Sequence, residues 1–139
     1  MNALRIETIN GKAPYRVTQD PERNNNFYLI SDSGVRFDID FTYNDAVIPI
    51  GAYEIGIANK ENKRSPLDMK LSLSVFAIIE EFFEQNNEVM LYLTETGDEK
   101  QVFRNRLFVR WFNTYEHHER YIIRTAEGCL EGQENFMAI

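Results

Sequence analysis

Cysteine, excess positive charge and long apolar runs are what this sequence lacks. A single cysteine, Cys129, stands among 139 residues, which excludes an intrachain disulfide framework and a multi-cysteine zinc site. Lys and Arg number 15 against 22 Asp and Glu, for a formal net charge of −7. That balance argues against general attraction to nucleic acid or anionic lipid. No apolar run approaches the length of a membrane span, and MNALRIETINGK at the start has no apolar core of an export signal. The expectation is a cytoplasmic protein in a reducing setting. No repeat, low-complexity tract or linker interrupts the chain, so residues 1–139 are expected to form a single domain.

Aromatic residues are abundant: ten Phe, seven Tyr and one Trp, enough to predict a well-packed core. Charge is also unevenly spread. Residues 100–113 carry Lys100, Arg104, Arg106 and Arg110 with no acid. Removing those four from a net of −7 leaves −11 elsewhere.

The pattern along the chain alternates between two textures. ALRIETI and YRVTQ read as short extended pieces, broken by Asn10-Gly11 and Pro14. PERNNN is a polar loop. FYLISDSGVRFDIDF carries a hairpin signal: Asp32-Ser33-Gly34 supplies turn chemistry, and Val35, Phe37, Ile39 and Phe41 alternate with Arg36, Asp38 and Asp40. Tyr53, Ile55 and Ile57 alternate again, for a third antiparallel strand. Ser65-Pro66-Leu67-Asp68 then combines an N-cap residue, a first-turn proline and an acid. Leu71, Val75, Ile78, Ile79, Phe82 and Phe83 recur at helical spacing as far as Gln85-Asn86-Asn87. DMKLSLSV alone alternates like a strand, but the start signal and the longer period favour a helix. EVMLYLTE reads as a central strand covered on both faces. A second helix is expected over 98–113, with capping-box pairs ahead of it. TYEHHER is a loop, RYIIRT a strand and ENFMAI a last strand. The sum is an α+β fold with a mostly antiparallel sheet, order β-β-β-α-β-α-β-β and two main helices.

Several residues are candidates for chemistry. On a helix, Phe103, Leu107 and Trp111 form one apolar line, flanked by Arg104, Arg106 and Arg110. Arginine stems lying over apolar surface explain that pattern as a core helix. The functional alternative is an interaction or nucleic-acid surface using the same guanidinium heads. Asp38 and Asp40, with Glu54 on the next strand, could hold a divalent cation or act as an acid/base pair, although a solvated strand face explains them equally. Glu61-Asn62-Lys63 has the Glu-x-Lys form of metal-dependent nucleases, with Asp38 or Asp45 as an upstream acid, but it falls in a charged connection rather than on a core strand. His117 and His118 are neighbours that an extended chain would point apart, which disfavours one shared metal ion; no metal site is expected. Cys129, beside Gly128 and Gly132, is read as an ordinary thiol in a turn. Lys60, Lys63, Arg64 and Ser65 gather cations at the start of the first long helix, where free backbone N–H groups favour an anion.

Two resemblances follow from these residues. SPLDMKLSLSVFAIIEEFFEQNNEVMLYLTETGDEKQVFRNRLFVRWFN resembles an uncharacterised bacterial domain family, a likeness that implies no chemistry. The order of three antiparallel strands, helix, strand, helix and two strands resembles the core of the GCN5-related N-acetyltransferases. That likeness implies acetyl-CoA as cofactor, its pyrophosphate near Lys63, Arg64 and Ser65, and Tyr115 as the nearest candidate for a general acid. The family's glycine-rich pyrophosphate loop is absent from Arg64-Ser65-Pro66-Leu67-Asp68, and Pro66 removes one N–H donor.

The expected function is therefore binding or interaction rather than catalysis, with a protein or a small anionic ligand as partner and no resident cofactor. Acyl transfer from acetyl-CoA is the alternative; nucleic-acid binding through 98–113 ranks third. Self-association through an edge strand is a further expectation, with ENFMAI as that edge.

Overall fold

The computed structural model describes residues 1–46, 51–59, 68–95, 110–115, 119, 124–130 and 133–138, with 93–95, 124–130 and 133–138 followed as backbone. In chain order these form α1 (Ile6–Lys12), β1 (Thr18–Gln19), β2 (Asn26–Ile30), β3 (Arg36–Asn44), β4 (Ala52–Asn59), α2 (Met69–Gln85), β5 (Met90–Glu95), β6 (Arg124–Leu130) and β7 (Gln133–Ala138). The strands run in the order β1-β2-β3-β4-β5-β7-β6. β4 and β5 are parallel, whereas β1/β2, β2/β3, β5/β7 and β6/β7 are antiparallel. The α+β class and the mostly antiparallel sheet read from sequence hold. Two compact units divide the chain, Met1–Thr42 with Gly56–Glu88 and Tyr43–Ile55 with Val89–Ile139.

In the first unit, the β2–β3 hairpin forms where turn chemistry placed it. Ser31 and Val35 close it, with Ser31 N–H donating to the Val35 carbonyl at 2.9 Å. Gly34 holds φ at +80°, the left-handed conformation that a three-residue hairpin loop requires and glycine adopts without penalty. Register pairs Phe27 with Ile39 and Leu29 with Phe37, and all four are buried. Above them lies α2, which buries Leu71, Val75, Ile78, Ile79 and Phe82. Phe82 stacks on Phe41 with ring centroids 5.0 Å apart. Burying side chains of this size stabilises the fold by about 1.5–3 kcal/mol each.

Four expectations about the chain require correction. ALRIETI is not extended: its second half is α1. Arg5 at the N-cap offers no side-chain hydrogen bond, so the helix is held by tertiary partners. Glu81 is 3 % exposed and Glu80 5 %, a costly placement for carboxylates without partners. α1 supplies them, Lys12 Nζ to Glu80 at 2.7 Å and Arg5 N–H to Glu81 at 3.3 Å. An acid near the start of α1 and Lys12 in its last turn also match the helix dipole. YRVTQ contributes only the two residues of β1.

The second correction concerns the start of α2. Its N-cap is Asp68, not Ser65, and the Asp68 carboxylate accepts from Lys70 N–H at 2.8 Å. The helix ends at Gln85, as its period predicted.

The other two corrections lie in the second unit. Gly128 and Cys129 are within β6 rather than in a turn, at a register shift between Glu127 and Leu130. ENFMAI is not an edge, because β7 pairs with β5 on one side and β6 on the other; β6 has the outer place. β5 behaves as a covered strand, with consecutive residues Met90 and Leu91 both fully buried. Residues 110–114 are helical and carry exposed Arg110 and buried Phe112.

Candidate functional site

Alternation along β2 and β3 places Asn26 and Tyr28 on the face opposite the core, beside Asp40 and Asp38 respectively. Arg36 reaches diagonally across this outer face. Its guanidinium lies 4.1 Å from the centre of the Tyr28 ring, and its Nε donates to Asp38 at 2.8 Å. Stacking and ion pairing together fix a planar cation in one orientation. The Asp38 hydrogen bond is also the main reason that the Arg36 pKa is raised above its ordinary value.

The neighbouring strand lets the Asp40 carboxylate pack against it. Where the outer row meets β4 the residues are Gly56 and Ala58, the smallest available. A Cβ at position 56 would overlap Asp40 Oδ1, so the Asp40 carboxylate rests against bare backbone. Glycine inside a strand costs stability and marks a place of close approach. Beside this contact lies a hollow of about 220 Å³ bounded by Asp20, Arg23, Tyr28, Arg36, Asp38, Asp40 and Ala58.

Loop 20–26 forms the rim and is tied down by its own backbone. Asp20 N–H donates to the Asn26 carbonyl at 2.9 Å, and Asn26 N–H to the Arg23 carbonyl at 3.0 Å. Asp20 Oδ1 accepts from Glu22 N–H at 2.9 Å, the local turn that aspartate favours. These bonds hold Asp20 and Arg23 beside the hollow.

A second polar knot lies at the start of α2. Buried Tyr15 donates its hydroxyl to Asp68 and accepts from Asp32 N–H at 3.2 Å. Lys70 Nζ pairs with Asp32 at 2.9 Å, which raises the lysine pKa. Burial, chiefly, raises the Tyr15 pKa above its usual 10.0, with the Asp68 carboxylate adding to the effect and the Asp32 N–H opposing it. Tyr15 N–H also donates to Ser74 Oγ at 3.1 Å. Each group here answers another within the chain, so the knot reads as a clamp for α2. A wider trough of about 670 Å³ runs along α1 and residues 13–19. Asn10, which lines it, spends its amide on both backbone groups of Val17.

The residues singled out in the sequence fall unequally on this geometry. Asp38 and Asp40 both line the hollow. Glu54 does not; its carboxylate accepts from Asn44 at 3.4 Å in the second unit. Tyr115 is buried at the end of the 110–114 helical stretch, and Arg110 there is exposed, with half-buried Trp111 beside it. Lys63, Arg64 and Ser65 lie outside the described residues, as do Lys60, Glu61, Arg104, Arg106, His117 and His118. Among the described residues, no group of three His, Cys, Asp or Glu side chains is placed to hold a metal ion, and no helix is long and apolar enough to cross a membrane. Sequence reasoning missed Arg23, Tyr28 and Gly56. An in-strand glycine following Ile55 was the one local signal available.

A family model for DUF6169, described as a family of unknown function, matches residues 67–139. The chain belongs to that family. The DUF6169 match covers α2 and everything after it, and leaves the β2–β3 hairpin and its hollow to the part of the chain before it. No curated protein and no solved structure matches the chain.

Proposed function

We propose that this protein is a binding module for a small polar ligand rather than an enzyme, and that the ligand sits in the hollow on the outer face of β2 and β3. The observation that carries this reading is the union of a preset Arg36–Asp38–Tyr28 wall with a recess that loop 20–26 and Ala58 close from the other sides. Rigid polar groups around a recess select and orient a ligand at little cost in ordering. A cytoplasmic setting, in keeping with the lone cysteine, suits a small soluble ligand.

The test is a ¹⁵N-edited NMR screen with small acids, amines and zwitterions at high millimolar concentration. Binding at the hollow moves the amides of 20–26, Tyr28 and 36–40 together and leaves those of α1 in place. A screen in which no compound moves that set overturns the reading.

A second reading has its own observation. The parallel pair β4 and β5, joined through α2 and followed by a helical stretch and two strands, supports the order shared with GCN5-related N-acetyltransferases. In it, acetyl-CoA would be held by Lys63, Arg64 and Ser65, with Tyr115 as general acid. It ranks second because the Asp68 carboxylate already caps α2, placing negative charge where a pyrophosphate would approach. A thermal-shift titration with acetyl-CoA, with ATP as control, separates the readings. Ligand at a hundred times its Kd stabilises the fold by about 2.7 kcal/mol, and no shift removes acyl transfer.

A further inference from the structure

We infer that the outer edge of β1 is a pairing edge for a second copy of this chain, and that Asn10 holds half of it shut. β1 stands at the end of the sheet. Thr18 lies opposite Tyr28 and Gln19 opposite Phe27, and Asp20 N–H donates across to the Asn26 carbonyl. Backbone groups alternate in direction along an antiparallel strand. Thr18 and Asp20 therefore turn theirs toward β2, while Val17 and Gln19 turn theirs to the open side. A trough of about 670 Å³ runs along that side, between α1 and residues 13–19.

Val17 displays what this edge accepts. Its N–H donates to Asn10 Oδ1 at 2.8 Å, and its carbonyl accepts from Asn10 Nδ2 at 3.0 Å. A side-chain carboxamide thus makes both bonds that a residue of a neighbouring strand would make. Gln19, two residues on, presents the next pair of backbone groups to the trough. Sheets guard such edges because an uncovered one pairs with another chain. The spacing here suits a copy of the same strand. With a two-fold axis through Thr18, Val17 of one copy faces Gln19 of the other, each giving and taking a hydrogen bond, and the axis repeats the pair. Burial alternates as well, with Tyr15 and Val17 inside and Arg16 exposed, so Arg16 shares the outer face with Thr18 and Asp20. The same axis sets Arg16 opposite Asp20 of the second copy, an opposite-charge pair across the strands on either side of Thr18. Such an interface is self-complementary and closes at two copies.

Sedimentation of the full chain over a concentration series tests this. Asn10→Ala, which puts the best helix former into α1, dimerises at least about tenfold more tightly than the unaltered chain, the equivalent of 1.4 kcal/mol. Adding Arg16→Glu sets like charges face to face across the axis, and adding Gln19→Pro removes an edge N–H. Either addition returns the variant to the unaltered level. In the dimer the amides of 16–20 shift in ¹⁵N spectra, and those of the 31–35 turn stay in place. Hydrogen exchange on the unaltered chain at dilute concentration needs no variant: Val17 N–H is protected, and Gln19 N–H exchanges as an exposed amide. An Asn10→Ala protein no more prone to dimerise than the unaltered chain overturns the inference. So does a dimer indifferent to Arg16→Glu and Gln19→Pro, which lies elsewhere. Protection of Gln19 N–H in the monomer overturns it too, because the edge is then already covered.

Discussion

The two faces of the β2–β3 hairpin are made by alternate residues of the same two strands, yet they do opposite things. Toward α2, Phe27, Leu29, Phe37, Ile39 and Phe41 are all buried. Toward the outside, Asn26, Tyr28, Arg36, Asp38 and Asp40 keep some access to water and surround the hollow. A period of two lets one hairpin supply a packed interior and a chemically specific surface without either compromising the other. The contrast implies a division of labour. Substitutions on the inner side act on stability, whereas those on the outer side act on binding.

The strongest challenge to that division is Phe82→Ala. It removes the ring stacked on Phe41 and leaves a cavity under the inner face. The expected loss is about 3–5 kcal/mol, measured as a fall in the urea midpoint with an unchanged slope. Asp68→Ala comes next: the α2 cap and the acceptor of the Tyr15 hydroxyl go together, for about 1–2 kcal/mol.

Tyr15 provides a pH-dependent test. Its folded pKa is raised, so the fold favours the protonated phenol. That contribution is fully present below the unfolded value near 10 and is lost as pH rises through the folded value. Stability should therefore decline above about pH 10, and Tyr15→Phe should decline less steeply across the same range, as followed by urea denaturation at a series of pH values. Lys70, whose pKa is also raised, chiefly by its pair with Asp32 and in smaller part by Tyr15 itself, loses stability in the same direction, so the difference between the two proteins reports the tyrosine together with its effect on Lys70. The smallest effect belongs to the outer face. Arg36→Ala should leave the thermal midpoint within error, since exposed ion pairs contribute little. A large drop there would erase the distinction between the faces.

Local signals account for what was legible in the sequence. Asp32-Ser33-Gly34 and the alternation after it define the hairpin, its register and which residues face out. The period from Leu71 to Phe83 defines α2. α1 was not legible because its partners, Glu80 and Glu81, lie 68 and 76 residues away and its N-cap gives no local cue. The place of ENFMAI failed for a similar reason: the last strand of the chain is inserted between β5 and β6, which no local pattern announces. The hollow was half legible. Asp38 and Asp40 stand out as paired outward acids, but the recess beside them also takes Asp20 and Arg23 from loop 20–26 and Ala58 from β4, which no local pattern brings together.

Arg36→Ala, with the thermal midpoint and the amide response of 20–26 and 36–40 to a compound found in the small-ligand screen measured on the same sample, is the sharpest test of the two-faced hairpin. The expected result is an unchanged midpoint and a response weakened by about tenfold or more. A fallen midpoint, or a response equal to that of the unaltered protein, would contradict the division.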